Sequence, residues 1–291
     1  MGAGMADNLL RKGWPLTVCV HRSRTAAERL IAAGATEAVS PRDLAAACDI
    51  VILCVTGSRE VEMLVKGPNG LAAAGTPLLI IDCSTSNPSS TTALAAELAA
   101  LGVTLIDAPL ARTPKEAEEG RLNTMVGAEA ADFERIKPVL QAFCENVFHV
   151  GKPGDGHVLK LVNNMLAMTT AAAIAEAAAV AAKSGLSLRK LHEVVSAGGV
   201  NSGIFQMMFG RMLEGDLGGL KFAIANAQKD LRYYTHLAES LPVPSFVAEA
   251  AHQSFVQAAN LGFGDKFIAS LFEAQERTAN VRIVDNAGRQ P

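Results

Sequence analysis

Lys160 and Asn164 stand four residues apart in Lys160-Leu161-Val162-Asn163-Asn164, so on a helix the ammonium and the amide project from one face. An ammonium whose pKa is lowered by partial burial can hand a proton to the alkoxide that forms as hydride reaches a carbonyl carbon. In the reverse direction it takes the proton back, and the adjacent amide can hold the substrate. A solvated Lys–Asn pair on a helix surface would read the same in isolation. A second group is Asp82-Cys83-Ser84-Thr85-Ser86-Asn87-Pro88, which gathers hydroxyls and backbone N–H groups between an apolar run and a helix start. Taken as a bare N-cap, Ser84 to Ser86 would be ordinary. The third is Asp107-Ala108-Pro109-Leu110-Ala111-Arg112-Thr113-Pro114, whose sole basic residue, Arg112, carries a planar guanidinium suited to bidentate binding of an acid group.

Hydride chemistry of this kind draws on a dinucleotide, whose site needs a strand, a G-x-G-x-x-G turn and a helix, so that the backbone can approach the pyrophosphate. The opening Met1-Gly2-Ala3-Gly4-Met5-Ala6 looks like the end of that fingerprint, with the strand and the first two glycines absent. Gly2 is therefore assigned to the cofactor. The natural protein is expected to begin about ten residues upstream, with Met1 an internal methionine of the fingerprint. At the end of the next strand stands Val20-His21-Arg22-Ser23-Arg24, where an acidic residue would bind a free ribose 2′-hydroxyl. None is present. His21, Arg22, Ser23 and Arg24 are read instead as the 2′-phosphate site of NADP, Arg22 and Arg24 supplying charge-assisted hydrogen bonds, with NAD the lesser choice. The alternative is that the two arginines simply solvate a helix start.

The elements that must position these groups follow from periodicity. From Leu16 to about Val150 short β-branched runs alternate with Ala-rich helical segments, the pattern of a doubly wound, Rossmann-type parallel sheet. Strands are expected at 16–20, 49–55, 77–82, 103–107, 122–126 and 147–150, joined by right-handed crossover helices that keep the strands parallel. The first strand of such a sheet is missing from the chain, by the same reasoning as for the fingerprint. After Gly151-Lys152-Pro153-Gly154 the strand signal stops, and helices follow, broken at Gly185, Gly198-Gly199, Gly215–Gly219, Pro242–Pro244 and Gly262–Gly264. This divides the chain into a nucleotide-binding domain, 1–152, and an all-α substrate and oligomerisation domain, 153–291. The helix at 156–183 is expected to join them, with ligand in a cleft beside it.

Composition narrows the partners. Among 291 residues, 26 basic and 29 acidic side chains leave a net charge of −3 with no positive stripe, which argues against nucleic acid. Five cysteines without C-x-x-C spacing read as reduced thiols of a cytoplasmic protein, and six histidines without ligand spacing suggest no metal. The apolar stretch 167–182 is short for a bilayer and is followed by Lys183, so no membrane association is expected.

Taken in order, these motifs resemble the β-hydroxyacid dehydrogenase family over nearly the whole chain. The resemblance is carried by Asp82-x-Ser84-Thr85, Asp107-Ala108-Pro109, Gly120-x-Leu122-x-x-Met125-Val126-Gly127, Lys160-x-x-Asn163-Asn164 and Lys229-Asp230-Leu231. It implies an oxidoreductase moving hydride between NADP(H) and a small anionic 3-hydroxyacid or semialdehyde. It further implies Lys160 as acid/base, Asn164 and Ser84 at the substrate, Val55, Thr56 and Thr85 at the cofactor, and Lys229 near the nicotinamide. A homodimer or homotetramer is expected by the same analogy. Where most of the family has Ser-Gly-Gly, this chain has Ala111-Arg112-Thr113, a pair similar to that of sulfolactaldehyde reductases, so Arg112 and Thr113 are assigned to the substrate. The alternative is an NADP-binding regulatory or reader module of the same fold. The presence of Lys160 argues against that module, and against imine reduction.

Overall fold

In a computed structural model of the chain, residues 1–20 and 24–284 are described. They fall into two compact units, which divide between Lys160 and Leu161.

The first unit opens with helix α1 (Gly2–Arg11), then strand β1 (Thr17–Cys19), α2 (Thr25–Ala32), β2 (Thr36–Ala38) and α3 (Pro41–Ala47). Strands β1 and β2 pair parallel as a small sheet of their own, with Thr17 opposite Thr36. A larger sheet takes β3 (Ile50–Leu53), β4 (Leu78–Asp82) and β5 (Val103–Asp107), connected through α4 (Ser58–Lys66) and α5 (Pro88–Ala99). These three strands are parallel and in register, so Leu53 stands beside Asp82, and Asp82 beside Asp107. Three strand ends therefore open onto one edge.

The central strand shows why its residues form it. In Leu78-Leu79-Ile80-Ile81 every side chain is buried, as a parallel strand covered on both faces requires. Alternate residues face opposite ways. Leu79 and Ile81 join Met5, Leu9, Ile106, Leu122 and Phe143 in one core, while Leu78 and Ile80 join Val61, Val65, Leu94, Leu98 and Leu105 in the other.

Beyond β5 the direction changes. The chain continues as β6 (Leu110–Ala111), α6 (Pro114–Glu119), β7 (Leu122–Gly127), α7 (Ala130–Leu140) and β8 (Cys144–Gly151). Strand β7 runs antiparallel to β5 and β6, and only β8 is parallel to it. Sequence had suggested parallel strands throughout. The link from β5 to β7 holds two-residue β6, which pairs with β7 itself, and the six-residue α6, and the strand returns antiparallel. Helix α6 is instead pressed onto α1. A Cβ on Gly4 would lie 2.7 Å from the carbonyl carbon of Ala117, and Asn8 Nδ2 donates to Gly4 O at 2.7 Å and Ala117 O at 2.9 Å.

Helix α8 (Asp155–Lys183) continues into the second unit, which adds α9 (Leu188–Ala197), α10 (Gly203–Phe205), α11 (Ile224–Ser240), α12 (Phe246–Ala258) and α13 (Leu271–Ala279). Its helices stop at the expected glycines and prolines, with Gly185 and Gly215 in left-handed conformation. The core sets small against large: Ala171, Ala175 and Ala178 share a cluster with Phe209, Phe255 and Phe272. At 29 residues, α8 is by length and composition able to cross a bilayer, which the sequence reading of 167–182 alone did not register. Its fully buried alanines are what the helical core packs against.

Candidate active site

The loops after β3 and β4 are stitched together at the shared strand edge. Val55 N donates to Ser84 Oγ at 3.0 Å, and Asn87 N donates to Ser58 Oγ at 2.7 Å. Ser84 N donates to Asp82 Oδ1 at 2.9 Å, and Ser86 Oγ donates to Asp82 Oδ2 at 2.9 Å. With Val55 N–H as donor to the Ser84 hydroxyl, the hydroxyl hydrogen is the one that Ser84 can offer to a ligand. Asn87 caps α5 by accepting from Ser89 N at 3.0 Å, with Pro88 at the first helical position.

The end of β5 is built around a carboxylate. Asp107 is fully buried, and its oxygens accept from Gly154 N at 2.6 Å and His157 N at 2.7 Å. Glycine is needed around it, since a Cβ on Gly127 or Gly156 would come within 2.8 Å of an Asp107 oxygen. Burial pushes the Asp107 carboxyl up, while His157 and the two N–H donors pull it back.

His157 closes this network. Its ring is fully buried, with Nδ1 2.8 Å from Thr91 Oγ1 and Nε2 3.2 Å from the Ser84 carbonyl oxygen. Asp82 Oδ2 and Asp107 Oδ2 each lie 3.8 Å from the ring. Sequence reasoning missed His157, and also Asp82 and Asp107 as the acceptors behind the loops. The available signals were an aspartate ending each of two neighbouring strands and a histidine one helical turn before Lys160.

The other expected site residues are placed as follows. Lys160 lies on α8, 9% exposed, and Asn164 lies one turn further, 6% exposed. In the second unit Asn164 Nδ2 donates to Asp230 Oδ2 at 2.7 Å, while Lys229 Nζ stands 2.7 Å from Asp230 Oδ1 and 4.6 Å from the Tyr233 ring centre. Asp230, 1% exposed, is a further residue that sequence reasoning left without a role. Thr56 is exposed and Thr85 half-buried, each next to a residue of the Val55–Ser84 bond. Gly2 lies against Cys54 at the end of β3, where a Cβ would meet Cys54 Cβ at 3.6 Å.

Arg112 and Thr113 have partners of their own. The Arg112 guanidinium pairs with Glu145 and donates to the Arg121 carbonyl at 2.6 Å; hydrogen bonding to Arg112 holds the Glu145 carboxyl below its usual range. Arg112 also adopts a left-handed backbone, φ 80°, a conformation that favours glycine. Thr113 caps α6 in a capping box with Glu116. His21, Arg22 and Ser23 lie outside the described residues. Arg24, the other basic residue there, makes a bidentate pair with Glu37 at 3.0 Å.

The strand edge suits a dinucleotide. Neither α1 nor α4 has a side-chain cap, and α1 has no acidic residue in its first turn, so backbone N–H groups there are of the kind that hold a pyrophosphate. Residues 1–151 match the NAD binding domain of 6-phosphogluconate dehydrogenase, and residues 154–273 match the NAD-binding model of NADP-dependent 3-hydroxyisobutyrate dehydrogenase. The chain is 33% identical over 289 residues to 2-(hydroxymethyl)glutarate dehydrogenase of Eubacterium barkeri, covering 97% of this chain and 94% of that protein. It is 32% identical over 275 residues to 3-sulfolactaldehyde reductase of Escherichia coli K12, covering 94% and 92%. A crystal structure of 3-hydroxyisobutyrate dehydrogenase from Salmonella typhimurium superposes with a TM-score of 0.81 at 29% identity, covering 94% of this chain and 95% of that one.

Proposed function

The chain belongs to the β-hydroxyacid dehydrogenase family, and we propose that it is an NADP-dependent reductase of small anionic semialdehydes and dehydrogenase of the matching 3-hydroxyacids. The observation that carries this reading is the Val55–Ser84 bond. It ties the two loops at the strand edge and leaves the serine as a hydrogen-bond donor. When bound, the nicotinamide supplies or receives the hydride.

The chain's own residues do the rest. Lys160 gives a proton from Nζ to the substrate oxygen as that oxygen becomes an alkoxide, and takes it back in the oxidative direction. Ser84 donates to an oxygen of the substrate. Asn164, oriented by Asp230, holds the substrate one turn along the helix from Lys160. Val55, Thr56, Thr85 and Gly2 receive the cofactor, and Lys229 serves its nicotinamide end. His21, Arg22 and Ser23 take the 2′-phosphate. The preference for NADP is supported by the lack of a carboxylate in Val20–Arg24, and with Arg24 held by Glu37 the phosphate falls to Arg22. Arg112 and Thr113 stand on the substrate side in this reading, and a substrate anion there competes with Glu145 for the guanidinium.

A cytoplasmic homodimer or homotetramer is part of the proposal. Its support is the apolar surface of the helical unit, where Phe246 is 82% exposed beside Val247 and Leu241. Light scattering checks the assembly. The activity is tested by following NADPH oxidation with small aldehydes carrying carboxylate, sulfonate or phosphonate groups. Turnover of at least one supports the reading, and inertness toward all of them contradicts it.

A further inference from the structure

His157 joins two parts of the first unit that the reaction needs in register. Its backbone N–H donates to Asp107 Oδ2 at 2.7 Å, which fastens the first turn of α8 to the end of β5. Its imidazole reaches the Ser84 carbonyl at 3.2 Å, which fastens the loop after β4. A carbonyl oxygen only accepts, so Nε2 carries the hydrogen of that contact. Thr91 Oγ1, 2.8 Å from Nδ1, holds the ring at its other nitrogen. Lys160 follows one turn later on the same helix.

Ser84 is consequently held at three atoms. Its N–H is bound by Asp82, its hydroxyl oxygen by Val55 N–H and its carbonyl by His157. Only the last of these links the loop to α8. The surroundings allow little substitution by water, since His157, Asp82, Asp107, Ser84, Ser86 and Thr91 are all buried.

We propose that His157 is a positioning residue of the reaction, its Nε2–H bond to the Ser84 carbonyl setting the substrate loop against the helix turn that leads to Lys160. The inference rests on the dehydrogenase reading for its kinetic consequence, although the contact itself can be tested without turnover.

Two conservative variants separate positioning from bulk stability. In His157→Gln the side-chain amide reaches the place of Nε2 and can still donate to Ser84. In His157→Asn the amide reaches only the place of Nδ1, so the Thr91 contact is kept and the Ser84 contact is lost. The Gln variant should keep kcat within about threefold, while the Asn variant should lose about tenfold or more at similar Tm, with NADP Kd changed by less than about twofold in both. Amide hydrogen exchange over Cys83–Thr85 should be faster in the Asn variant than in the Gln variant by about tenfold. Equal kcat in the two variants, or losses that merely follow Tm, would overturn the proposal. If the unmodified protein turns over no hydroxyacid or aldehyde, the functional reading fails, and exchange alone decides on His157: equal exchange in the two variants refutes the contact's role.

Discussion

The hydroxyl of Ser84 accepts a hydrogen bond from the backbone N–H of Val55 at 3.0 Å, although the two residues lie 29 apart in sequence. That bond occupies one lone pair of the serine hydroxyl, and in the proposed reading the hydroxyl hydrogen is given to the substrate. Ser84→Ala should therefore lower kcat/KM for an acid substrate by about 10- to 100-fold, the worth of one hydrogen bond to a charged group, while NADP Kd moves far less. Steady-state kinetics beside cofactor titration gives the answer; equal losses in both would make the serine a loop tie only.

Arg112 presents two separable effects, a tie to Glu145 and a left-handed backbone. Arg112→Gly and Arg112→Ala both lose the guanidinium, but only glycine takes φ 80° without steric cost. The glycine variant should be the more stable by about 1 kcal/mol in urea unfolding. For function, Arg112→Ala should raise KM for an anionic aldehyde far more than for a neutral one of similar size. If both rise alike, Arg112 serves only its bond to Glu145.

Arg22 should select NADP, because a guanidinium gains about 1.5–3 kcal/mol from a charged hydrogen bond to a phosphate that NAD lacks. Arg22→Ala should weaken NADP and leave NAD nearly unchanged in fluorescence titration. A preference of the unmodified protein for NAD would end this assignment.

How far the sequence carried depended on how each feature is encoded. Buried strands such as Leu78–Asp82 and the glycine breaks between helices announce themselves locally, since burial on both faces and left-handed turns restrict residue type. Strands β2 and β6 and helix α6 are too short for a period to accumulate, and the antiparallel return of β7 depends on what fits between β5 and β7 rather than on β7 itself. In the site, Lys160, Asn164 and Ser84 were visible as chemistry at a spacing. Asp82, Asp107, His157 and Asp230 were not, because their roles lie in contacts between distant segments: Thr91 and His157 are 66 residues apart, as are Asn164 and Asp230. Arg112 and Arg24 mark the opposite limit, where the residue type was read and its acidic partner, Glu145 or Glu37, was not.

The buried thiols give a pH dependence of known sign. Burial pushes Cys144 up to about 12 from 9.0, and Cys83 also well upward. A raised folded value means that the folded state keeps its proton when the unfolded chain has lost it. For Cys144 this contribution is complete below about pH 9 and is lost as pH rises toward 12, at about 1.4 kcal/mol per pH unit. The urea midpoint should therefore fall between about pH 8.5 and about pH 10.5, and Cys144→Ala should flatten that fall. An identical slope in the variant would show that other groups govern it.

In the proposed reaction Lys160 exchanges the proton that accompanies hydride transfer. The most direct test of this is single-turnover NADPH oxidation by Lys160→Ala with the best aldehyde at saturating concentration, alongside the variant's NADP Kd. The rate should be lower by ~10²-fold or more with the Kd nearly unchanged, the usual contribution of a general acid. A variant that transfers hydride at the unmodified rate would contradict it.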